Sequence, residues 1–188
     1  LVRMALYSAF IAEELGREGP YCDRIDPGYV RRIHRFAPMH DIGKVGVEDR
    51  ILLKPGRLTD EERQAMQRHP TVGGEVLRRC EAQVEAVGHS VFAVGIEIAE
   101  AHHEKWDGSG YPAGLAGEEI PLAARIVAAA DVLDALTSRR PYKEAWPMEK
   151  ALALMDEESG GHFDPEVIRA MHRAMPRILE VYERLKHV

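Results

Sequence analysis

Four places along the chain carry side chains that could do metal chemistry. His40-Asp41 is an adjacent pair, His69 stands just before Pro70, His102-His103 is a second adjacent pair, and Asp131 lies in the run AAADVLDAL. All six residues are metal-ligand types, and the four places recur at gaps of about thirty residues. A lone histidine on a helix is more often a surface or satisfied core residue than a ligand. Asp131 resists that reading. Val127, Ala128, Ala129, Ala130, Val132 and Leu133 around it predict a buried segment, and a buried carboxylate must be paired, bound to a cation or neutral. Asp134 follows at three residues' spacing, so two acids point into one region and call for positive charge nearby. Neighbours on a helix diverge by roughly 100°. Adjacent ligand pairs therefore straddle two ions, with a carboxylate bridging, better than they fill one tetrahedral zinc site. Two metals about 3.5–4 Å apart are the recurrent solution for phosphate-ester hydrolysis, a bridging hydroxide attacking phosphorus while the metals stabilise the non-bridging oxygens. Mixed imidazole and carboxylate ligands suit iron, manganese or zinc better than calcium. Lys44 follows the His-Asp pair by three residues. Arg139, Arg140 and Lys143 follow Asp131 past the end of its helix, where cations also complement the helix dipole.

The elements that must position these groups read as helices. Residues 2–15 repeat apolar residues at three and four and stop at Gly16, and 17–27 form a loop. A second helix is predicted over 28–42, stopping at Gly43, with 43–58 irregular. Thr59 opens a capping box with Glu62, starting a helix to about His69. Pro70 suits the first turn of a helix over 70–80, and another covers 89–105. Residues 106–120 contain Gly108, Gly110, Gly114, Gly117 and Pro112, which predicts a loop. Helices follow over 121–138 and 147–158. Asp164-Pro165 caps one over 165–174, and Pro176 starts a terminal one. No repeat and no alternating strand pattern is found. The expectation is all-α, a single multi-helix domain with about eight helices spanning 1–188.

Composition closes off several function classes. The chain has 188 residues, 45% hydrophobic and 30% charged, with net charge −6. Such an acidic domain is a poor non-specific binder of DNA or an anionic membrane, though a local basic pocket can still hold a small phosphate ester. No apolar run approaches the ~20 residues of a membrane span, and no signal peptide opens the sequence. Cys22 and Cys80 make no disulfide framework, so a reducing, cytoplasmic setting is expected. The first residue is Leu1 rather than Met, which predicts a piece of a longer protein.

The strings HDIGKVGV (40–47), RHP (68–70), HHEKWDGSGYP (102–112), ADVLDALTSRRPYK (130–143) and GHFDP (161–165) resemble the HD-GYP family, a branch of the HD phosphohydrolases. The resemblance runs over essentially the whole chain in the right order. It implies an all-α domain holding two or three divalent ions, iron or manganese, that hydrolyses the bacterial second messenger cyclic di-GMP to pGpG or onward to GMP. By motif match it implies His40, Asp41, His69, His102, His103 and Asp131 as metal ligands, with Asp41 the bridge. Lys44 becomes a phosphate contact that helps the leaving group. Gly110, Tyr111 and Pro112 become the loop shaping the pocket, and Asp134, Arg140 and Lys143 substrate contacts. The family's first ligand histidine sits in an H-x-x-R pattern of which Leu1-Val2-Arg3 supplies the last three positions. That histidine, and a glutamate one turn further upstream in three-metal members, would precede residue 1. The resemblance also implies a receiver or other sensory module upstream.

Alternatives of other kinds stay open at this stage. The same site chemistry could serve a hybrid cyclic dinucleotide or a nucleotide phosphate. A non-catalytic module could instead use the GYP loop to engage diguanylate cyclases (GGDEF domains) or adaptors, and a homodimer is compatible with the sequence. His34, His89, His172 and His187 read as surface or packing residues, His162 as fixing a turn before Asp164, Trp106 and Trp146 as packing anchors, and both cysteines as inert.

Overall fold

Helices α1 (Val2–Arg17), α2 (Pro27–Phe36), α3 (Asp49–Leu52), α4 (Asp60–Met66), α5 (His69–Val84), α6 (Ala93–Ala101), α7 (Leu122–Thr137), α8 (Met148–Glu157) and α9 (Pro165–Leu185) follow one another through a computed structural model that describes residues 1–84, 90–139 and 144–185. No strand occurs among the described residues, only an isolated bridge between Ser159 and Phe163. The all-α expectation holds. Arg140, Lys143, His89 and His187 lie outside the described residues.

Local chemistry sets several helix starts. Asp26 accepts from the Tyr29 amide at 2.6 Å ahead of Pro27. Thr59 and Glu62 form the expected reciprocal box, and Asp164 accepts from the Glu166 amide at 2.8 Å. A side chain there satisfies one of the amides a helix N-terminus leaves free.

Some boundaries differ from the sequence reading. The second helix ends at Phe36 rather than near residue 42: Pro38 offers no amide hydrogen to continue the α ladder, although Ala37 itself keeps α dihedrals. The chain continues as a 3-10 turn, Ala37–Met39, and a second one, Ile42–Gly46. α4 stops at Met66, α5 runs from His69 to Val84, and α6 is confined to Ala93–Ala101. The break expected at Pro176 is absent: α9 continues through it to Leu185.

α1 packs along α9, α2 and α7, and α5 packs against α6 and the 42–46 turn. The main core gathers Tyr7, Ile11 and Leu15 of α1, Ile126 and Leu133 of α7 and Met171 and Ile178 of α9, all essentially without exposure. α7 is the central helix, buried from Leu122 to Ala130. No helix among the described residues is long and apolar enough to cross a membrane.

Gly43 fixes how the 42–46 turn meets α5. A Cβ there would lie 1.9 Å from the His69 carbonyl oxygen and 2.4 Å from the Gly73 nitrogen. Only a residue without a side chain lets the backbone approach so closely. That contact carries the segment holding Asp41 onto the helix that begins with His69.

Candidate metal centre

Asp41, His69, His102 and His103 converge with their ligand atoms within 4.8 Å of one another. His69 is the first residue of α5, His102 and His103 follow the end of α6, and Asp41 opens the Ile42–Gly46 turn. Asp41 is the hub. Its Oδ1 lies 3.3 Å from His69 Nε2 and 3.8 Å from His102 Nε2. Its Oδ2 lies 3.3 Å from His40 Nε2 and 2.5 Å from Lys44 Nζ. His40 Nε2 in turn lies 3.6 Å from Asp131 Oδ1. One carboxylate thus addresses two sets of groups, His69 and His102 on one side and His40 with Asp131 behind it on the other.

The rings are aimed by local structure. His40 Nδ1 sits 2.9 Å from the Ala37 carbonyl, His69 Nδ1 2.7 Å from that of Met66, and His102 Nδ1 3.0 and 3.1 Å from those of Ile98 and Ala99. A carbonyl only accepts, so each Nδ1 donates, and each ring turns its Nε2 toward Asp41, where that atom can donate to the carboxylate or, once deprotonated, offer its lone pair to a cation. Imidazoles held through the far nitrogen in this way are what a metal centre requires. His40, His69 and His102 are buried, whereas Asp41, His103 and Asp131 are partly exposed and form the open face. Asp131 therefore lies less deep than its apolar neighbours suggest, with its side chain 32% exposed.

Protonation follows the same geometry. Burial, then the neighbouring His103, holds His102 well below the ordinary imidazole value, and burial with His69 brings His103 down to about 4. Burial would lower His40 too, but Asp41 and Asp131 outweigh it and raise that imidazole. Burial would raise Asp41, yet the hydrogen bonds from His40, His69 and Lys44 hold it well below the usual carboxylate range. Imidazoles around an ionised carboxylate, His102 and His103 held neutral among them, are a donor set for divalent cations of the iron, manganese or zinc type. The Lys44 ammonium resting on Asp41 shows that the position attracts positive charge.

The remaining sequence candidates are placed as follows. Tyr111 stacks on His103 with ring centroids 4.7 Å apart, and its amide donates to the His103 carbonyl at 3.2 Å. Burial, then the Asp41 charge, pushes its hydroxyl up to about 12. Gly110 lies against Glu104 and Lys105, where a Cβ would come within 2.3 Å of the Lys105 nitrogen. Pro112 faces away from the cluster, into a pocket of about 450 Å³ between α5, α6 and the loop. Asp134 pairs with Arg3 Nε at 2.7 Å, and the same guanidinium reaches Ser138. Arg3 is the positive charge that the paired acids called for. Arg139 is exposed and lies 3.5 Å from Glu144.

Two supporting residues escaped the sequence reading. Glu104, only 2% exposed, follows the His pair and accepts from the Ala113 amide at 2.7 Å and the Leu115 amide at 3.1 Å. Arg125 pairs with Asp164 at 2.6 Å and donates to the Tyr21 hydroxyl at 2.8 Å, beside the Trp106 ring. A charge inside an otherwise apolar helix was the available signal for Arg125. The strand of loop beside it is tied down by main-chain bonds from Trp106 to His162 and Asp107 to Gly161, consistent with the turn role read for His162.

Comparison with known proteins places this geometry. The HD domain family model matches residues 26–167. A cyclic di-GMP phosphodiesterase of Vibrio cholerae serotype O1 is 47% identical over 170 residues, covering 90% of this chain and 34% of the relative. The cyclic di-GMP phosphodiesterase response regulator RpfG of Xanthomonas campestris pv. campestris is 45% identical over 181 residues, covering 96% of this chain and 44% of its own. The chain thus spans less than half the length of these curated relatives. In fold it is similar to the crystal structure of a cyclic GMP-AMP specific phosphodiesterase of V. cholerae, with TM-score 0.58 and 19% identity over 99% of this chain and 48% of that one.

Proposed function

The chain belongs to the HD domain family, in its HD-GYP branch, and from that premise we propose that it is a metal-dependent phosphodiesterase that cleaves cyclic di-GMP to pGpG and onward to GMP. The observation that carries the reading is Asp41, whose two oxygens face two different sets of imidazole and carboxylate donors. His69, His102 and His103 would hold one divalent ion with Asp41, and His40 with Asp131 a second, iron or manganese suiting the donors best. Bound there, the ions would supply Lewis acidity and an activated water for attack on phosphorus.

The chain's own groups do the rest. The Nδ1 contacts aim the His40, His69 and His102 rings. Asp41 stays ionised and joins the two halves. Lys44, 2.5 Å from Asp41, is within reach of a phosphate entering over the open face and can neutralise charge on it. Tyr111, stacked on His103, forms a wall against which a base or ribose can rest, positioned by Gly110 and Pro112. Asp134, held by Arg3, and Arg140 and Lys143, which lie outside the described residues, are proposed as substrate contacts on the motif match alone. The named activities of the relatives favour a cyclic dinucleotide over a nucleotide monophosphate. A cytoplasmic domain acting downstream of a sensory module fits the same reading.

The test is hydrolysis of cyclic di-GMP by protein loaded with manganese or iron, beside 3'3'-cGAMP. Asp41→Ala should abolish turnover and lower bound metal, because it removes a donor from both halves. Robust turnover in Asp41→Ala would overturn the two-metal scheme, and equal rates on the two dinucleotides would remove the preference for cyclic di-GMP.

A further inference from the structure

A cavity of about 740 Å³ lies between α1 and α2, lined by none of the candidate metal ligands. It runs on into a second hollow of about 450 Å³ that shares Glu13, Val30 and Arg31 with it. Along α1 the lining falls on Leu6, Phe10, Glu13 and Arg17, a stripe at three- and four-residue spacing. Eleven residue steps correspond to a groove of roughly 16 Å, the length of about three helical turns. The floor is apolar, with Leu6 and Val30 beside the Phe10 ring, over which the Arg177 guanidinium lies 3.9 Å from the centroid. One wall is basic. Arg31, Arg32, His34 and Arg35 of α2 are all exposed, and none forms an ion pair with a carboxylate among the described residues. Of the two acids in the lining, Glu13 is paired with Arg177 of α9 and Asp26 caps the start of α2 beside Arg32. A concentration of unpaired cations beside an apolar trough is unexpected in a chain of net charge −6.

We infer that this groove is a docking surface for an acidic amphipathic helix of a separate partner protein. A helix laid in such a trough buries a stripe of apolar residues at i, i+3, i+4 and i+7. Flanking glutamates or aspartates would then meet Arg31 and Arg35, and complementary charge of that kind gives register and rejects basic competitors. A polyanion without an apolar face would leave Leu6 and Val30 uncovered, which is why the groove favours a helix over nucleic acid or a lipid headgroup. The surface is independent of the catalytic reading, since none of its residues belongs to the metal centre. It is still connected to it: α2 ends at Phe36, and the Ala37–Met39 turn leads directly to His40.

The experiment uses a fluorescent helical peptide of roughly 14 residues, with leucines at three- and four-residue spacing flanked by glutamates. It should bind the protein, more weakly at high salt. The surface double variant Arg31→Glu/Arg35→Glu should lose at least about tenfold in affinity. A sister peptide with lysine in place of glutamate should bind that variant and not the wild type. Metal content should be the same in both proteins. Affinity unchanged by the double variant, or no binding to the wild type, overturns the proposal. So does binding of heparin or phosphatidylserine vesicles in place of the peptide, or a dimer in sedimentation that the double variant dissolves, since each names a different occupant.

Discussion

Replacing Glu104 by glutamine changes one oxygen to an amide nitrogen and nothing in shape. In the native protein both carboxylate oxygens are used, one by the Ala113 amide at 2.7 Å and one by the Leu115 amide at 3.1 Å. Glutamine can accept from one of them and must present NH2 to the other, leaving two donors face to face. A hydrogen bond to a charged acceptor contributes about 1.5–3 kcal/mol, and a buried donor left unpaired forfeits a similar amount. The local cost is therefore about 1.5–3 kcal/mol, or a ten- to hundredfold rise in the open population of the loop at roughly 1.4 kcal/mol per tenfold. The core cluster of α1, α7 and α9 does not include this loop, so the loss should stay local. Native-state hydrogen exchange measures it: amides 113 and 115 should exchange ten to a hundred times faster, while those of Ile126 and Leu133 keep their protection. With the strap loosened, Tyr111 loses its fixed seat on His103. KM for the dinucleotide should then rise more than kcat falls, with metal content unchanged. Unchanged exchange at 113 and 115, or equal acceleration throughout the domain, would refute the idea that Glu104 sets the loop.

Two further perturbations test the buried polar groups. Arg125→Met leaves Asp164 buried without its cation and should cost about 3–5 kcal/mol in urea unfolding, whereas Arg125→Met with Asp164→Asn, which keeps the cap on Glu166, should recover most of it; additive losses would show that the pair is not the unit. Tyr7 is fully buried and its hydroxyl has no hydrogen-bond partner among the described residues, so Tyr7→Phe should raise Tm, because a desolvated hydroxyl is removed at little change in volume. Burial raises Tyr7, and burial together with the Glu97 charge pushes Tyr29 up to about 12. Their neutral forms favour the folded state, so this stability is intact below the unfolded value near 10 and is lost as pH rises through about 12. Alkaline unfolding followed by circular dichroism should shift to higher pH in Tyr7→Phe; an unshifted midpoint would contradict the assignment.

Two prolines show why sequence read the helices well and their limits less well. Pro38 ends α2 early, and Pro176 does not end α9, although the local rule is the same for both. A proline inside a helix costs about 3 kcal/mol or more. Beyond Pro176 the stripe Met171, Ala174, Ile178 and Val181 continues without a break and is buried. Ile178 and Val181 alone bring about 1.5–3 kcal/mol each when buried, enough to carry the helix across. Pro38 has no such stripe beyond it, only the turn that must lead to His40. The difference lies in what packs on the far side, which no short window contains. Caps such as Thr59 with Glu62, by contrast, are complete within four residues and were legible at once.

The same division runs through the metal centre. The His40, His69 and His102 imidazoles are each oriented by a carbonyl three or four residues earlier in the chain, so these histidines announce themselves in the sequence and need little else to aim them. What brings them together is remote. Asp41 reaches His69 because Gly43 lies on the His69 carbonyl, and Asp134 is taken by Arg3, 131 residues away. Glu104 and Arg125 were hard to assign for the same reason: a charge acquires a role only from what folding sets opposite it. Sequence therefore names the donors, and the contacts at Gly43 and Arg3 decide how they are brought together. Substitution at Gly43 should disturb the centre although every candidate ligand remains in the sequence, whereas substitution at Glu104 should loosen only the loop.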